Sequence, residues 1–365
     1  MSLIYWVVGF LIAFGIPAIV KLIFPHHVTF KEFFASCGIS ILCVIAFYAF
    51  LKIGATHDTE IWNGEVVKKY SDKVSCEHSY SCNCTTVCSG TGSNRTCQQV
   101  CQTCYEHSYD VDWVVKANVG GTTISRVDRQ GLKTPPRWAA VKIGEPYSET
   151  YSFTNYIKAA PDSLFAGSKA LVQQYEGKFP NYPSIHDYYK VNRVISLGVS
   201  IDKTLNEKLN ELHKKWGPQK QINVIPVFVN EKYSQEFFKA LEAKWLGGKK
   251  NDAVIVTQID KNGNVSWTRV MSRAEHKVFD KSIEFDMAQM GTFDTDKFVK
   301  ILDDNVMNKF QRENFHKYEY LLNEFTPSGI AVTLGLILSL IINIVVGYFA
   351  VKEDWFGGYY GRFSR

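Results

Sequence analysis

The sequence predicts an α+β membrane protein with three transmembrane helices, a β-rich unit stapled by cysteines and a small α/β unit. Three observations lead to this fold class: three long apolar segments, a cluster of seven cysteines between β-type segments, and a later series of amphipathic and β-branched runs. The chain has 365 residues, of which 46% are hydrophobic, and this leaves material for about two folded units beside the membrane segments.

The charge balance argues against a nucleic-acid partner. Lys and Arg number 41 against 36 Asp and Glu, which gives a formal net charge of +5, and no long run of like charges occurs. Chains that bind nucleic acid through its phosphates concentrate basic side chains in a patch or tail. We therefore expect no nucleic-acid partner.

Three apolar segments, residues 3–24, 33–51 and 328–351, are each long enough to cross a bilayer. The first lacks the basic flank of a cleaved signal peptide, so we expect it to remain as a helix. Only residues 25–32 separate it from the second, which predicts a transmembrane hairpin. The lipid bilayer is thus a predicted partner of a multi-pass protein.

The charges beside these segments predict the orientation. Basic residues in the first loop and in the C-terminal tail are Lys21, Lys31, Lys352, Arg362 and Arg365. Because cytoplasmic loops carry an excess of Lys and Arg, the large middle region is expected outside the cytoplasm, in the periplasm if the host is a Gram-negative bacterium. Lys52, Lys68 and Lys69 follow the second segment and make this bias small.

Residues 53–160 are predicted to form the β-rich domain, with a cysteine-rich loop over residues 76–104. The alternating segments 60–67 and 111–117 predict an antiparallel pair of strands that this loop connects. A short repeat, Cys-Glu-His-Ser-Tyr and then Cys-Tyr-Glu-His-Ser-Tyr, brackets the loop and should bring His78 and His107 close together. The cysteines concerned are Cys76, Cys82, Cys84, Cys88, Cys97, Cys101 and Cys104.

Three states of these cysteines are open at this point. Disulfides suit an extracytoplasmic loop that has too few apolar residues to fold unaided, and seven thiols would leave one free or linked to another chain. A metal site would use cysteines together with His78 or His107, since Cys101 and Cys104 have the spacing of a zinc half-site. Reduced thiols are the third state.

The region after a connector at residues 161–194 is predicted to be an α/β domain, residues 195–325. Its predicted elements are helix 203–216, strand 222–229, helix 234–246, strands 253–259 and 265–271, and helix 298–310. Gly217 and Pro218 should end the first helix, and Pro226 should place the first strand at a sheet edge or a bulge. The strand–helix–strand succession predicts parallel pairing, and Asn262-Gly263 predicts a hairpin.

Residues 244–256 (KWLGGKKNDAVIV), with the preceding helix and strand, resemble the TPM domain family over about residues 195–310. The resemblance implies a membrane-anchored domain outside the cytoplasm or in the thylakoid lumen. Some members of that family are phosphatases with acidic metal sites, which would make Asp252 a metal ligand. The family's Gly-x-Gly segment is replaced here by residues 270–276 (VMSRAEH).

The whole chain is also similar to uncharacterised membrane proteins encoded by tailed bacteriophages. Residues 58–62 (DTEIW), the cysteine cluster and residues 127–131 (VDRQG) carry this similarity. It implies a bacterial inner membrane and a periplasmic domain.

The leading functional hypothesis is a membrane-anchored interaction or scaffold protein acting at the host envelope, with a protein partner there or a second copy of the chain. No nucleophile with a base and no phosphate-binding glycine loop is recognisable, so no catalytic residue and no cofactor are assigned. One alternative is a TPM-type phosphatase at Asp252, with a hard cation such as calcium held by Asp280, Glu284 and Asp286. The other is a zinc- or thiol-based sensor built on residues 101–104.

Overall fold

A computed structural model of the chain describes residues 2–89 and 96–352. The helices in chain order are α1 (Ser2–Ile23), α2 (Phe30–Thr56), α3 (Pro136–Ala139), α4 (Tyr156–Ala159), α5 (Asp162–Phe165), α6 (Lys169–Gln174), α7 (Thr204–Lys220), α8 (Gln235–Lys244), α9 (Val278–Met290), α10 (Thr295–Lys309) and α11 (Gly329–Lys352), with 3-10 helices at Ala166–Ser168 and Phe315–Glu324.

The strands in chain order are β1 (His57–Val74), β2 (Ser79–Ser89), β3 (Thr96–Tyr105), β4 (Asp110–Ala117), β5 (Gly120–Ile124), β6 (Pro146–Thr154), β7 (Ile185–His186), β8 (Lys190–Val191), β9 (Ile195–Leu197), β10 (Asn223–Val229), β11 (Asp252–Ile259) and β12 (Val265–Ser272).

The chain divides into two compact units. The helical unit comprises the described residues of Met1–Thr59, Ser152–Ala170 and Asn314–Arg365, and the sheet unit comprises Glu60–Tyr151 and Leu171–Glu313. The sheet unit therefore contains the second four-stranded sheet and most of the first, apart from the start of β1 and the end of β6. The sequence-based boundaries at residues 160 and 195 stay predictions.

The helical unit contains three helices, α1, α2 and α11, that are long and apolar enough to cross a membrane. Helix α2 is longer than predicted at both ends. Its start is set by Thr29, whose hydroxyl accepts from the Glu32 amide while the Glu32 carboxylate accepts from the Thr29 amide at 2.6 Å. This reciprocal cap satisfies two amides that a helix start otherwise leaves without partners.

Polar groups join the three apolar helices. The Tyr5 hydroxyl of α1 donates to the Val44 carbonyl of α2 at 2.8 Å, and the Ser40 hydroxyl of α2 donates to the Asn343 side-chain oxygen of α11 at 2.6 Å. Small residues at helix interfaces allow this close approach, because a methyl group on Gly335 would collide with the Phe47 ring.

The first sheet of the sheet unit has the strand order β5-β4-β1-β6. Strands β1 and β4 are antiparallel, from Val74 opposite Asp110 to Val66 opposite Ala117, which confirms the predicted pairing. The predicted cysteine-rich loop between them contains regular structure, because β2 and β3 pair as antiparallel strands. We call β2 and β3 the cysteine hairpin.

The second sheet has the order β12-β11-β10-β9. Strands β10 and β11 are parallel across helix α8, and β11 and β12 form an antiparallel hairpin, as predicted. Alternate residues of β10 face opposite layers: Phe228 packs in a core with α7, α9 and α10, whereas Val227 packs with Phe237 and Leu241 of α8. Helices therefore cover both faces of this sheet, which explains why β10 is apolar throughout.

Two proline-based predictions are wrong. Pro226 lies in an internal strand with β11 on one side and β9 on the other, yet pairing with β9 begins only at Val227, so the missing amide removes no bond from that ladder. Helix α7 continues through Pro218 to Lys220 and ends at Gln221, which has a left-handed φ of 51°. The burial of Trp216 against the core holds this last turn in place.

Helix α9 was not predicted as an element. It contains Asp280, Glu284 and Asp286, and their charges obscured an apolar stripe in which Phe279, Ile283 and Met287 are fully buried. Ser234 precedes helix α8, and its hydroxyl caps the helix by accepting from the Glu236 amide.

Candidate functional site

Three cysteine pairs cross-link the cysteine hairpin at disulfide distance. They are Cys82–Cys104, Cys84–Cys101 and Cys88–Cys97. Each pair joins β2 to β3, so the bridges reinforce the hairpin ladder. Cys101 and Cys104 bond to different partners, so they do not form the zinc half-site that their spacing allowed.

The cysteine hairpin has no core of its own. None of the described side chains of β2 and β3 is buried. Tyr80, Val87, Val100 and Tyr105 are each more than half exposed. Its rigidity therefore comes from backbone pairing and covalent bridges rather than from apolar packing.

Cys76 is the seventh cysteine of the cluster, and it is a buried free thiol. Its Sγ atom lies 3.8 Å from the His107 Nδ1 atom, which in turn lies 3.4 Å from the Asp110 Oδ1 atom. Strand pairing brings these residues together, because Val74 pairs with Asp110 at one side of the cluster and Ser79 pairs with Tyr105 at the other. We call Cys76, His107 and Asp110 the hairpin-base cluster.

The two sequence repeats meet at this cluster, as predicted. The Glu106 amide donates to the His78 carbonyl at 3.0 Å, and the Cys76 thiol donates to the same carbonyl at 3.5 Å. Among the residues described, the hairpin-base cluster is the one group of Cys, His, Asp or Glu with three ligand atoms all within 4.8 Å of one another. His107 belongs to it and His78 does not.

Asp110 is fully buried and carries two very different carboxylate oxygens. Its Oδ2 atom accepts from the Glu77 amide at 3.0 Å and from Arg126 Nη1 at 2.9 Å, whereas its Oδ1 atom has no hydrogen-bond partner. The Glu77 amide and, to a smaller extent, the Arg126 cation hold the pKa of Asp110 below its usual range. The carboxylate is therefore ionised at neutral pH.

The charges around the cluster do not balance. Arg126 also pairs with Asp112 at 2.6 Å and with Glu77 at 3.5 Å. One guanidinium thus faces the three carboxylates of Glu77, Asp110 and Asp112, and the local sum is −2.

The hairpin-base cluster does not have the geometry of a nucleophilic relay. In such a relay the thiol and the carboxylate face opposite nitrogens of the imidazole. Here Cys76 and Asp110 both lie beside Nδ1 of His107. The arrangement instead offers a sulfur, a nitrogen and an oxygen toward one point.

Residues 127–131, which carried the phage resemblance, form a turn around one carboxylate. Asp128 accepts from the amides of four residues, which are Gln130, Gly131, Leu132 and Lys133. These amides, that of Lys133 foremost, lower the pKa of Asp128. The turn supports β4, since the Trp113 indole donates to the Gly131 carbonyl at 2.9 Å.

We expect the Asp128→Asn variant to lose less stability than the wild type as the pH falls into the acid range. A carboxylate whose pKa is lowered by folding stabilises the native state above the unfolded pKa of 3.8, and it loses that contribution as the pH falls through the native pKa. Thermal unfolding of the full chain from about pH 6 to about pH 3 should therefore show a smaller drop for the variant than for the wild type. Asp296→Asn, at a side chain that is 82% exposed, is the matched control and should follow the wild-type curve. Parallel curves for the wild type and Asp128→Asn would contradict the role of this turn.

Asp252 is buried in a polar network. Its carboxylate accepts from the Tyr182 hydroxyl, the Asn223 side-chain amide at 2.8 Å and the Lys249 backbone amide at 2.7 Å. Burial raises the pKa of Asp252. Both carboxylate oxygens of Asp252 already accept hydrogen bonds. The groups that face this carboxylate are hydrogen-bond donors, and such surroundings do not fit a metal ion.

The acidic residues of α9 also have separate partners. Asp280 pairs with Lys277, Glu284 accepts from the Val270 amide, and Asp286 accepts from the Asn305 side chain. Within the described ranges they do not form a three-ligand group.

A buried arginine is the feature that sequence reasoning missed. Arg193 is 1% exposed, and its guanidinium donates only to uncharged acceptors, which are Asn63, Ser148, Asn210 and Asn223. Burial lowers the pKa of Arg193 to about 9, so it is still a cation at neutral pH. Several of its neighbours line a cavity of about 490 Å³. The sequence contains no local signal for this site, because its members come from distant segments.

Comparisons of the chain with protein-family models, with curated proteins and with solved structures find no match in any of the three.

Proposed function

We propose that the protein is a membrane-anchored interaction protein that presents the cysteine hairpin to a protein partner outside the cytoplasm. One observation carries this proposal: three cross-links rigidify an element that buries none of its described side chains. The bridges take the place of a core and hold the exposed hairpin in one conformation. Preorganising a contact surface in this way lowers the entropic cost of binding.

The exposed side chains of the hairpin suit this role. Tyr80 and Tyr105 supply rigid aromatic area, and Val87 and Val100 add apolar contacts. Tyrosine is enriched in protein interfaces because it combines a large apolar ring with a polar hydroxyl.

Two observations support the proposed location of the sheet unit. Disulfides persist in oxidising compartments, and three helices have the length and composition of membrane spans. We propose that the sheet unit lies outside the cytoplasm, in the periplasm of a bacterial host, with the N-terminal loop on the cytoplasmic side. Two of the tail residues used for this orientation, Arg362 and Arg365, lie outside the described residues.

We further propose a phage origin and a TPM-like relationship for the second sheet. The parallel pair β10 and β11, the intervening α8 and the antiparallel β12 support the second point. A TPM-type phosphatase gains no support, because the Asp252 carboxylate is engaged on both oxygens.

Site-specific photo-cross-linking on the intact chain in its native membrane tests the proposal. A photoreactive residue at Val87 or Val100 is expected to yield a discrete protein adduct on illumination. The matched control is Lys261, in the exposed turn between β11 and β12, which should yield none. A second copy of the chain in the adduct would identify a homo-oligomer. Equal adducts from all three positions, or none from the hairpin, would contradict the proposal.

A further inference from the structure

We propose that the hairpin-base cluster of Cys76, His107 and Asp110 binds a divalent transition-metal ion, zinc in the first instance. The inference does not depend on the proposed partner of the hairpin, because it concerns atoms at the base of the element rather than its exposed surface.

The atom types select the metal. A cysteine sulfur, a histidine nitrogen and a carboxylate oxygen are the three ligand classes of zinc in proteins. Calcium and magnesium favour oxygen ligands, six or more for calcium, and a thiol excludes them. With three protein ligands, the fourth tetrahedral position is open to water or to another donor.

The distances agree with one ion held by all three residues. Around a tetrahedral zinc with ordinary bond lengths, two ligand atoms lie roughly 3.4–3.6 Å apart. The His107 Nδ1 and Asp110 Oδ1 atoms are 3.4 Å apart, and the Cys76 Sγ and His107 Nδ1 atoms are 3.8 Å apart. The third distance, from the Cys76 sulfur to the Asp110 carboxylate, lies within 4.8 Å, so a modest inward movement of the side chains would bring all three ligand atoms around one ion.

The Oδ1 atom of Asp110 accepts no hydrogen bond, although the His107 Nδ1 atom lies 3.4 Å from it, and this is an independent observation that points to a ligand. Asp110 is fully buried, and leaving a buried carboxylate oxygen without a partner costs free energy. This oxygen faces the sulfur and the nitrogen of the cluster, whereas the other oxygen is held by Glu77 and Arg126. A bound cation would satisfy it.

The electrostatics favour a divalent ion. Glu77, Asp110 and Asp112 outnumber Arg126 by two charges, so a divalent cation would offset this local excess of negative charge. Arg126 lies on the Oδ2 side of Asp110 and orients the carboxylate from the side away from the ligand point. Supporting residues of this kind fix the direction of a ligand oxygen.

The cluster also explains why one of seven cysteines stays unpaired. Cys82, Cys84, Cys88, Cys97, Cys101 and Cys104 bridge β2 to β3, and Cys76 precedes β2 where no cysteine lies opposite it. Its buried thiol is shielded from disulfide exchange and faces His107. A metal-bound thiolate would be the functional state of this residue.

Metal titration of the detergent-purified full chain tests the site. After chelator treatment, the wild type is expected to rebind zinc at one ion per chain, and cobalt should produce a thiolate-to-metal charge-transfer band. Cys76→Ser should abolish that band, and His107→Gln and Asp110→Asn should each weaken zinc binding by about 100-fold or more, beyond the effect typical of supporting residues. Zinc should raise the unfolding temperature of the wild type and leave those of these three variants nearly unchanged.

Two matched variants separate ligation from general damage. Cys43→Ser removes another free thiol, and His78→Gln alters the equivalent histidine of the other repeat; both should bind zinc as the wild type does. If Cys76→Ser fails to fold, the cobalt band of the wild type and the His107→Gln titration still decide. Absence of zinc and cobalt binding by a wild type with an intact Cys76 thiol, or equal binding by all variants, would overturn the proposal.

Discussion

Arg193→Met is expected to lower the free energy of unfolding of the sheet unit by roughly 3–5 kcal/mol, because several buried uncharged acceptors lose their shared donor. The guanidinium donates to the side-chain oxygens of Asn63, Asn210 and Asn223 and to the Ser148 hydroxyl, and it is 1% exposed. Methionine fills much of the volume but donates nothing. Each acceptor left buried without a donor costs about 1–3 kcal/mol.

The desolvation cost of the buried Arg193 cation acts in the opposite direction, but it does not reverse the expected loss of stability. Removing a buried cation relieves the cost of keeping it away from water, and burial does lower the pKa of Arg193. Replacement of a complete buried network by apolar groups can be neutral for that reason. Here only the cation is replaced. The Asn223 side chain links Arg193 to the carboxylate of Asp252, so that buried acid also loses a cation that stabilises its charge.

Urea unfolding of the full chain, followed by the fluorescence of tryptophan, measures the effect, since Trp216 is fully buried in the sheet unit. Lys190→Met is the matched control. Lys190 is 53% exposed and pairs with Asp187 at 3.4 Å, so its loss should cost less than about 1 kcal/mol. Equal midpoints for the two variants would show that the Arg193 network contributes no stability.

Gly217→Ala is expected to destabilise the sheet unit by roughly 2 kcal/mol or more, although alanine is the better helix former. A Cβ atom at this position of α7 would lie 1.8 Å from the backbone oxygen of Asn63 in β1. Backbone cannot rotate away as a side chain does. The helix or the strand would have to shift, and overpacking of this kind costs about 1–3 kcal/mol, occasionally more.

The intrinsic helix propensity, which favours alanine over glycine, acts in the opposite direction, and its effect on stability is smaller. Alanine gains about 1 kcal/mol over glycine in a helix interior that faces open space. Gly54→Ala in α2 is the matched control, because the added methyl group would meet nothing within 4 Å beyond its own stretch of helix, and the change should be neutral or stabilising. Thermal unfolding of both variants provides the test. A Gly217→Ala protein as stable as the wild type would mean that α7 and β1 do not approach as closely as the structure shows.

Much of the fold could be predicted from the sequence because its signals are local. Apolar runs of sufficient length identified α1, α2 and α11, and period-two alternation identified β1 and β4. The parallel pair β10 and β11 followed from the strand–helix–strand order, and Asn262-Gly263 identified the hairpin after β11. These patterns are set by residues a few positions apart.

The errors arose where packing overrides a local rule. Proline generally ends a helix, yet α7 continues through Pro218 because Trp216 is buried against the core. Proline is disfavoured in central strands because it has no amide hydrogen to donate. Pro226 is tolerated because the pairing of β10 with β9 begins only at Val227, so no hydrogen bond is required of its nitrogen. Helix α9 was missed because its acidic residues obscured the spacing of its apolar face.

The sequence by itself determined that the chain has three membrane-length helices, a cysteine cluster in a β-rich region and an α/β sheet with a parallel pair and an antiparallel hairpin, since hydrophobic period and composition are properties of short segments. Only the tertiary structure decided which six cysteines pair, which one stays free, and that Asp110 joins Cys76 and His107. Strand register brings those three side chains together from positions up to 34 residues apart in the chain. Register depends on the pairing of whole strands, and single residues do not encode it.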